Sequence, residues 1–407
     1  MNNERKIITF TCAAHFFTHF YELLFPALAV PLMLSLKMSL EEVLQVSFFM
    51  YFLYGVAALP WGMVSDRFGN RKSLIIFFLG TGASALLTSF AATKTSLTVS
   101  LAMIGFFASI YHPAGMGLIS LSMKNRGMAL GINGVAGNLG FVCAPFTAGI
   151  LNWLFGWEAA YLFVGILCIL WGTAMMLIPI DETPHPHHHD ALAEGGNTSR
   201  KWNFLILCCA MTFAGFAYRA VSVILPAAFE FKAGFLWELF QRFHFENIEG
   251  AKTMAATLLA SSIYMVSAVG QYIGGRVADR RDLRRAYLAF HALSFPFILL
   301  MGITGNYLLV AAAAMYVFFA LGMQPIENSL VAVYTPGRWR STGYGIKFIL
   351  VFGVGSFAVY CAGWIKAAWG LGSVFLFMGI PVALLIMCAV LLIAVSEKRK
   401  SSREIPS

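Results

Sequence analysis

Apolar residues run along this chain in blocks of membrane length, separated by short polar and basic segments. Runs of about 20 predominantly apolar residues, the length a helix needs to cross a hydrocarbon core, begin near Ile7, Val43, Ser73, Leu97, Gly127, Ala159, Phe204, Ala251, Ala286, Tyr307, Thr342 and Ser373. The pattern predicts an all-α membrane protein with twelve transmembrane helices and no soluble domain. The first run starts with charge, as a cleaved signal would. It continues past Pro26 and Pro31 to Leu36 and carries His15, His19 and Glu22, so it reads as a first spanning helix.

The twelve helices fall into two sets of six because a segment recurs. Gly62-Met-Val-Ser-Asp66-Arg67-Phe-Gly69-Asn-Arg71-Lys72 returns 213 positions later as Gly275-Arg-Val-Ala-Asp279-Arg280-Arg-Asp-Leu-Arg284-Arg285. Each copy lies between the second and third helices of its half. Phe106-Phe107-Ala108 through His112-Pro113 likewise meets Phe318-Phe319-Ala320 through Gln324-Pro325, and Phe25-Pro26-Ala27 meets Leu225-Pro226-Ala227 at an offset of 200. Two pseudo-symmetric six-helix bundles are therefore expected at 1–181 and 202–407, joined by a polar linker at 182–201. Parallel halves of this kind are a transporter architecture and place a substrate path between them, near the midplane.

Composition agrees with lipid as the solvent: 59% of residues are hydrophobic and only 12% charged, against about 25% charged in soluble domains. The net charge of +9 reads as topology. With a cytoplasmic N-terminus, the inside segments hold 20 of the 28 Lys and Arg residues, while the outside segments hold only Lys37, Lys94, Lys232, Arg242, Lys252 and Lys366. Both termini are then expected in the cytoplasm of a multi-pass inner-membrane protein. A nucleic-acid partner is not expected, since the charge is spread over separate segments. The seven cysteines lie inside apolar runs and read as small buried hydrophobes.

With these residues in view, the chain resembles a major facilitator superfamily transporter over essentially its full length. The loop motif of that superfamily, G-x-x-x-D-R-x-G-R-R/K-R/K, is matched by Gly62, Asp66, Arg67, Gly69, Arg71 and Lys72, departing at Asn70. The resemblance implies a gating role for Gly62, Asp66, Arg67, Gly69 and Arg71, and for Asp279 and Arg280 of the second copy, with Asp66 capping a helix N-terminus and pairing with a basic neighbour. The other reading of the loop, a solvated basic segment, explains the arginines but neither Asp66 nor the spaced glycines. The fifth run is similar to the antiporter signature G-x8-G-x3-G-P-x2-G-G at Gly131, Gly140, Pro145 and Gly149, with two glycines replaced by alanine. Small residues at that spacing let helices approach closely. A narrower resemblance, over about the first 160 residues, is to the fosmidomycin-resistance branch of drug exporters, carried by Tyr111-His112-Pro113-Ala114 and by His15, His19 and Tyr21.

Charge placed in lipid costs at least about 2.5 kcal/mol at a helix centre unless it faces a partner or a wet cavity. Glu22, Arg219, Glu327 and Lys347 fall well inside predicted spans and are the candidates for chemistry. Arg219 and Lys347 would bind an anion, with His19, Tyr218 and Gln324 beside them. Glu22, Glu327 or His112 would carry a coupling proton. The pattern also fits plain internal ion pairs, Glu22 with Arg219 and Glu327 with Lys347.

A divalent metal or metal-chelate transporter is the competing reading. It rests on His15, His19 and Glu22 as ligands and on the tract His185-Pro-His187-His188-His189 in the linker. Arg219 and Lys347 would repel a cation in the path. The segment from 230 to 250 places Leu236, Leu239, Phe240 and Phe243 on one apolar face, suited to the outer interface. No nucleotide-cradling glycine loop and no soluble catalytic domain is found, so neither a cofactor, a bound metal nor an enzyme is expected. The expected function is secondary transport by a monomer in the bilayer: proton-coupled export of a small organic anion or amphiphilic drug, or import of an organic anion by proton symport.

Overall fold

The computed structural model describes residues 2–124, 126–183, 197–241, 247–335 and 340–401, and their regular elements are all helices. The histidine tract 185–189, Arg338 and Phe243 lie outside the described residues, as do the side chains of Leu236, Leu239 and Phe240 in the short helix Phe235–Phe240.

Two spans are bent pairs. α1 joins Asn3–Ala27 to Ala29–Ser35 at 50°, and α2 joins Leu40–Val56 to Ala58–Phe68 at 45°. The other ten are α3 (Asn70–Ser89), α4 (Lys94–Ser122), α5 (Met128–Phe155), α6 (Trp157–Leu177), α7 (Arg200–Lys232), α8 (Ile248–Arg280), α9 (Leu283–Ile303), α10 (Asn306–Tyr334), α11 (Gly343–Trp369) and α12 (Leu371–Ser396). Both bends stand just ahead of a proline, although Pro145, Pro226, Pro296 and Pro381 lie inside helices that continue. A proline cannot bond the carbonyl four residues before it and crowds that carbonyl, which places the breaks of α1 and α2 just before Pro31 and Pro60. The repeat-related positions hold Phe231 and Ile273, and there α7 and α8 run unbroken.

Several helices begin about a turn before their apolar runs because polar caps precede them. Ser39 and Glu42 form a reciprocal capping box at the start of α2, and Thr93 with Ser96 does the same at α4. Each box satisfies N–H groups that the first helical turn leaves without partners.

The first bundle is held by α1 on α5, α3 on α6 and α2 on α4; the second repeats this with α7 on α11, α9 on α12 and α8 on α10. Between bundles, α5 packs on α8, α2 on α11 and α1 on α7. The termini and the α2–α3 and α8–α9 loops share one face, here called the terminal face; the α1–α2 and α7–α8 connections share the distal face. The bundles meet on the distal side, where a Cβ added at Gly363 of α11 would touch Glu41 of α2 and one at Gly149 of α5 would strike Thr257 of α8. Near the middle, α2 and α11 cross so closely that a Cβ at Gly55 would fall on the Gly353 backbone. At this crossing α11 widens into a π turn, Ile349–Gly353, and then tightens into a 3-10 turn, Val354–Phe357.

Candidate functional site

Four acidic or strongly basic side chains are buried among the described residues: Glu22, Arg219, Glu327 and Lys347. Arg219 is the largest fully buried side chain of all, at 0% exposure. A buried guanidinium persists only with partners, and it has them. Its Nη2 donates to Glu22 Oε1 at 2.9 Å, and its Cζ lies 3.7 Å from the centroid of the Tyr51 ring. Tyr218 donates to the same carboxylate oxygen at 3.3 Å, and Tyr51 donates to the Glu22 backbone carbonyl at 3.0 Å. Nε and Nη1 of Arg219 are buried with no protein partner among the described residues.

The other carboxylate oxygen of Glu22 faces the first helix itself. Spacing of i, i+4, i+7 stacks three side chains on one helical face: His19 Nδ1 lies 3.0 Å from Glu22 Oε2, and His15 Nε2 lies 3.0 Å from His19 Nε2. The chain ends on α5, where His15 Nδ1 meets the Asn133 carbonyl at 2.8 Å. Tyr111 of α4 stacks on His15 at 4.7 Å and donates to Asn133 Oδ1 at 2.5 Å.

A second network lies in the other bundle. Lys347 Nζ sits 2.8 Å from Glu327 Oε1 and donates to Asn328 Oδ1 at 2.6 Å, while Tyr287 donates to Glu327 Oε2 at 2.8 Å. His291 packs edge-on against Tyr287, its Nε2 buried and unpartnered among the described residues. His112 lies between the two networks: its ring is 5.7 Å from that of His19, its Nε2 is 3.0 Å from the Tyr54 hydroxyl, and it stacks at 4.5 Å on Phe348, the residue after Lys347. Gln324 stands half-buried one turn before Glu327. Asn138 of α5 donates to Gln271 of α8 at 3.0 Å, a further polar link between bundles.

The loop motif is divided in its contacts. Asp66, Arg67, Asp279 and Arg280 are exposed, and Asp66 makes no ion pair with a described residue. The pairing expected of Asp66 is thus absent from this conformation, in which the bundles meet on the opposite face. Gly69 takes φ +97° at the N-cap of α3, and Gly62 lies 3.4 Å from Pro113 measured from an added Cβ. The cap is supplied from the linker: Glu182 accepts from the N–H groups of Asn70 and Arg71 at 2.8 and 3.2 Å. Arg71 in turn donates to the carbonyls of Met175, Met176 and Ile178 at the end of α6. In the second copy Asp282 stands where Gly69 stands in the first, and it caps α9 with its own side chain. The Arg284 guanidinium bonded to it, with the N–H groups of Arg284 and Arg285, holds the Asp282 carboxyl below the usual range.

Of the antiporter-type glycines, Gly140 approaches the Phe16 carbonyl of α1 and Gly149 approaches Thr257 of α8, with Pro145 buried between them. Gly131 departs from the expected close packing, since a Cβ there meets nothing within 4 Å. Among the described residues no group of three His, Cys, Asp or Glu side chains is placed to hold a metal ion. Both ring nitrogens of His19 are already engaged.

The partners of these groups on distant helices leave little mark in the sequence. Tyr51, Tyr54 and Tyr287 look like ordinary span aromatics, and a backbone carbonyl such as Asn133 leaves no mark in the side-chain pattern. Glu182 showed only as part of a polar linker, since the helix it caps starts 112 residues earlier in the chain.

The geometry defines a two-bundle helical membrane protein with a buried ion pair between its bundles. The family model of the Major Facilitator Superfamily matches residues 10–241 and 207–406, and the chain belongs to that superfamily. It is similar to a Triacylglyceride transporter of Mycobacteroides abscessus (30% identical over 165 residues, 39% of this chain and 32% of the relative) and to Multidrug resistance protein D of Escherichia coli (31% over 126 residues, 28% and 30%). A longer alignment, at 22% identity over 286 residues, covers 65% of this chain and 62% of the "Probable sulfoacetate transporter SauU" of Cupriavidus necator. The chain thus spans about a third of the length of the first of these relatives. Among solved structures, a bacterial homolog of the human lysosomal transporter Spinster, inward-facing and occupied, shares the fold with a TM-score of 0.71 at 15% identity over 100% of both chains. A POT family transporter in complex with 5-aminolevulinic acid does so with 0.76 at 12% identity over 95% and 96%.

Proposed function

We propose that this protein is a proton-coupled secondary transporter that exports a small organic anion or amphiphilic drug by alternating access. The observation that carries the reading is the Glu22–Arg219 pair, which joins the bundles and continues into two histidines. Protonating such a pair removes the counter-charge of Arg219 and frees its N–H groups for an anionic substrate, so proton and substrate compete for one site. Arg219, Lys347, His19, Tyr218 and Gln324 take the substrate; Glu22, Glu327 and His112 handle the proton. Asp66 and its neighbours secure the terminal face when it closes. The terminal face is cytoplasmic on this reading, in agreement with the distribution of Lys and Arg, and a single chain is the working unit.

The name of the Escherichia coli relative, Multidrug resistance protein D, supports export. The sulfoacetate relative supports an organic anion; import of such an anion by proton symport is the second reading. Flux in reconstituted vesicles separates these readings. Export requires counter-movement of protons, so an outward-directed substrate flux grows with an inward proton gradient, and symport reverses that relation. For a metal transporter, divalent-ion flux would be lost on His15→Ala or His19→Ala and kept in Arg219→Ala. That pattern would remove the anion reading.

A further inference from the structure

One chain of contacts imposes a hydrogen count. His15 Nδ1 faces the Asn133 carbonyl, His15 Nε2 faces His19 Nε2, and His19 Nδ1 faces Glu22 Oε2, at 2.8, 3.0 and 3.0 Å. Each contact needs one hydrogen, and two neutral imidazoles bring one N–H each. The three contacts therefore hold one hydrogen more than two neutral imidazoles and a carboxylate possess. One end also fixes direction. A carbonyl oxygen only accepts, so His15 carries its hydrogen on Nδ1. If His15 is neutral, its Nε2 accepts from His19 Nε2, and the added proton lies between His19 Nδ1 and Glu22 Oε2. The alternative microstate puts it on His15, with His19 donating from Nδ1 to the ionised carboxylate.

We infer that His15, His19 and Glu22 are one carrier that holds a single proton, with His15 the positioning residue that sets its tautomers from the Asn133 carbonyl. This rests on the proton-coupled reading above and adds the number of protons and their place. When the proton leaves as H+, one of the three contacts is left with two acceptors facing each other and opens. Held on His19, the proton leaves Glu22 ionised against Arg219; held on Glu22, it leaves Arg219 without a counter-charge. The proton's position thus acts on the link between the bundles.

The surroundings contain few competitors for that proton. Tyr111 and His112 of α4 lie 4.7 and 5.7 Å from His15, ring to ring, and Phe141 of α5 covers His19 at 4.1 Å. Tyr51 and Tyr54 of α2, Tyr218 and Arg219 of α7, and Tyr264 of α8 face the carboxylate side. Lys347 of α11 stands beyond His112. The further imidazole here, His112, is held by the Tyr54 hydroxyl and lies 5.7 Å ring to ring from both His15 and His19, a next station for the proton outside the hydrogen-bonded chain of three.

The test is made on purified protein in detergent, without substrate or gradient. Nitrogen-15 NMR of histidine-labelled wild type is expected to show His15 protonated on Nδ1, assigned by loss of its signals in His15→Gln. Proton-binding titration is expected to lose the same single step in Glu22→Gln, whose amide brings its own N–H, and in His19→Gln, with no second step lost in the double variant. His15→Gln also loses the step, because His19 is then free to donate from Nδ1 as a neutral ring. His15 found protonated only on Nε2, or two steps lost in the double variant, would overturn the inference. If His15→Gln fails to fold, His15→Asn supplies the assignment of the wild-type spectrum. Flux that ignores the proton gradient would refute the proposed function and leave this count standing.

Discussion

Glu22 and Arg219 meet at 2.9 Å from opposite bundles, α1 and α7, whereas Glu327 and Lys347 meet at 2.8 Å within one bundle, α10 and α11. The two pairs resemble each other in distance and burial, but they join different bodies. Desolvation is costly for both, and removing one partner leaves the other charge buried and alone.

Arg219→Ala is therefore expected to cost about 3–5 kcal/mol, the usual penalty for breaking a buried pair. The double variant Glu22→Leu, Arg219→Met should recover most of that loss, because it leaves no charge unpaired. Thermal melting of this double variant and of its two single variants, Glu22→Leu and Arg219→Met, in detergent measures the coupling; additive losses would mean that the pair is not the source of the penalty.

Lys347→Ala should destabilise by a similar amount without loosening the contact between bundles. Spin labels on α2 and α8 read the distinction. The inter-bundle distance is expected to broaden in Arg219→Ala and to stay narrow in Lys347→Ala.

The glycines of α5 separate in the same way. Gly140→Ala and Gly149→Ala press a methyl group into Phe16 and Thr257 and should each lower the melting temperature. Gly131→Ala meets open space and should leave stability unchanged or raise it by up to about 1 kcal/mol, the helix-propensity gain of alanine. A large loss at Gly131 would show that this glycine is packed in solution.

Asp282 gives a pH-dependent expectation. Its carboxyl is held low by Arg284, so its contribution is present above the unfolded value of about 3.9 and is lost as pH falls through the folded value. The melting curves of wild type and Asp282→Asn should differ at neutral pH and converge in acid. Divergence toward acid would have the wrong sign.

Asp66 is exposed here and has no described ion partner, so Asp66→Asn should leave the stability of this conformation unchanged. If the residue secures the terminal face when that face closes, vesicle transport should fall while substrate binding persists. Full transport would remove the gating role.

How much of this the sequence disclosed depended on range. Glu22, Arg219, Glu327 and Lys347 stood out because each is expensive in lipid, and His15, His19 and Glu22 lined up because helical spacing is local. The breaks at Leu28 and Ala57 follow as locally from Pro31 and Pro60. The placement of Asn133, Tyr51 and Tyr287 on those same groups depends on how distant helices turn toward one another, which no spacing along one helix records. Glu182 is such a case too: a linker acid becomes the cap of a helix more than a hundred residues earlier.

The crossing of α2 and α11 at Gly55 and Gly353 has a mechanical meaning. Two backbones that touch at glycines fix a distance there, while Phe48, Phe52 and Tyr54 of α2 meet Phe352, Phe357 and Tyr360 of α11 around the contact. The wide and tight turns that follow in α11 add slack along the same rod. If the halves rock as the proposed transport cycle requires, this contact is the fulcrum at half the protein's depth, and a small tilt there is geared by the length of each arm into a larger parting at either end.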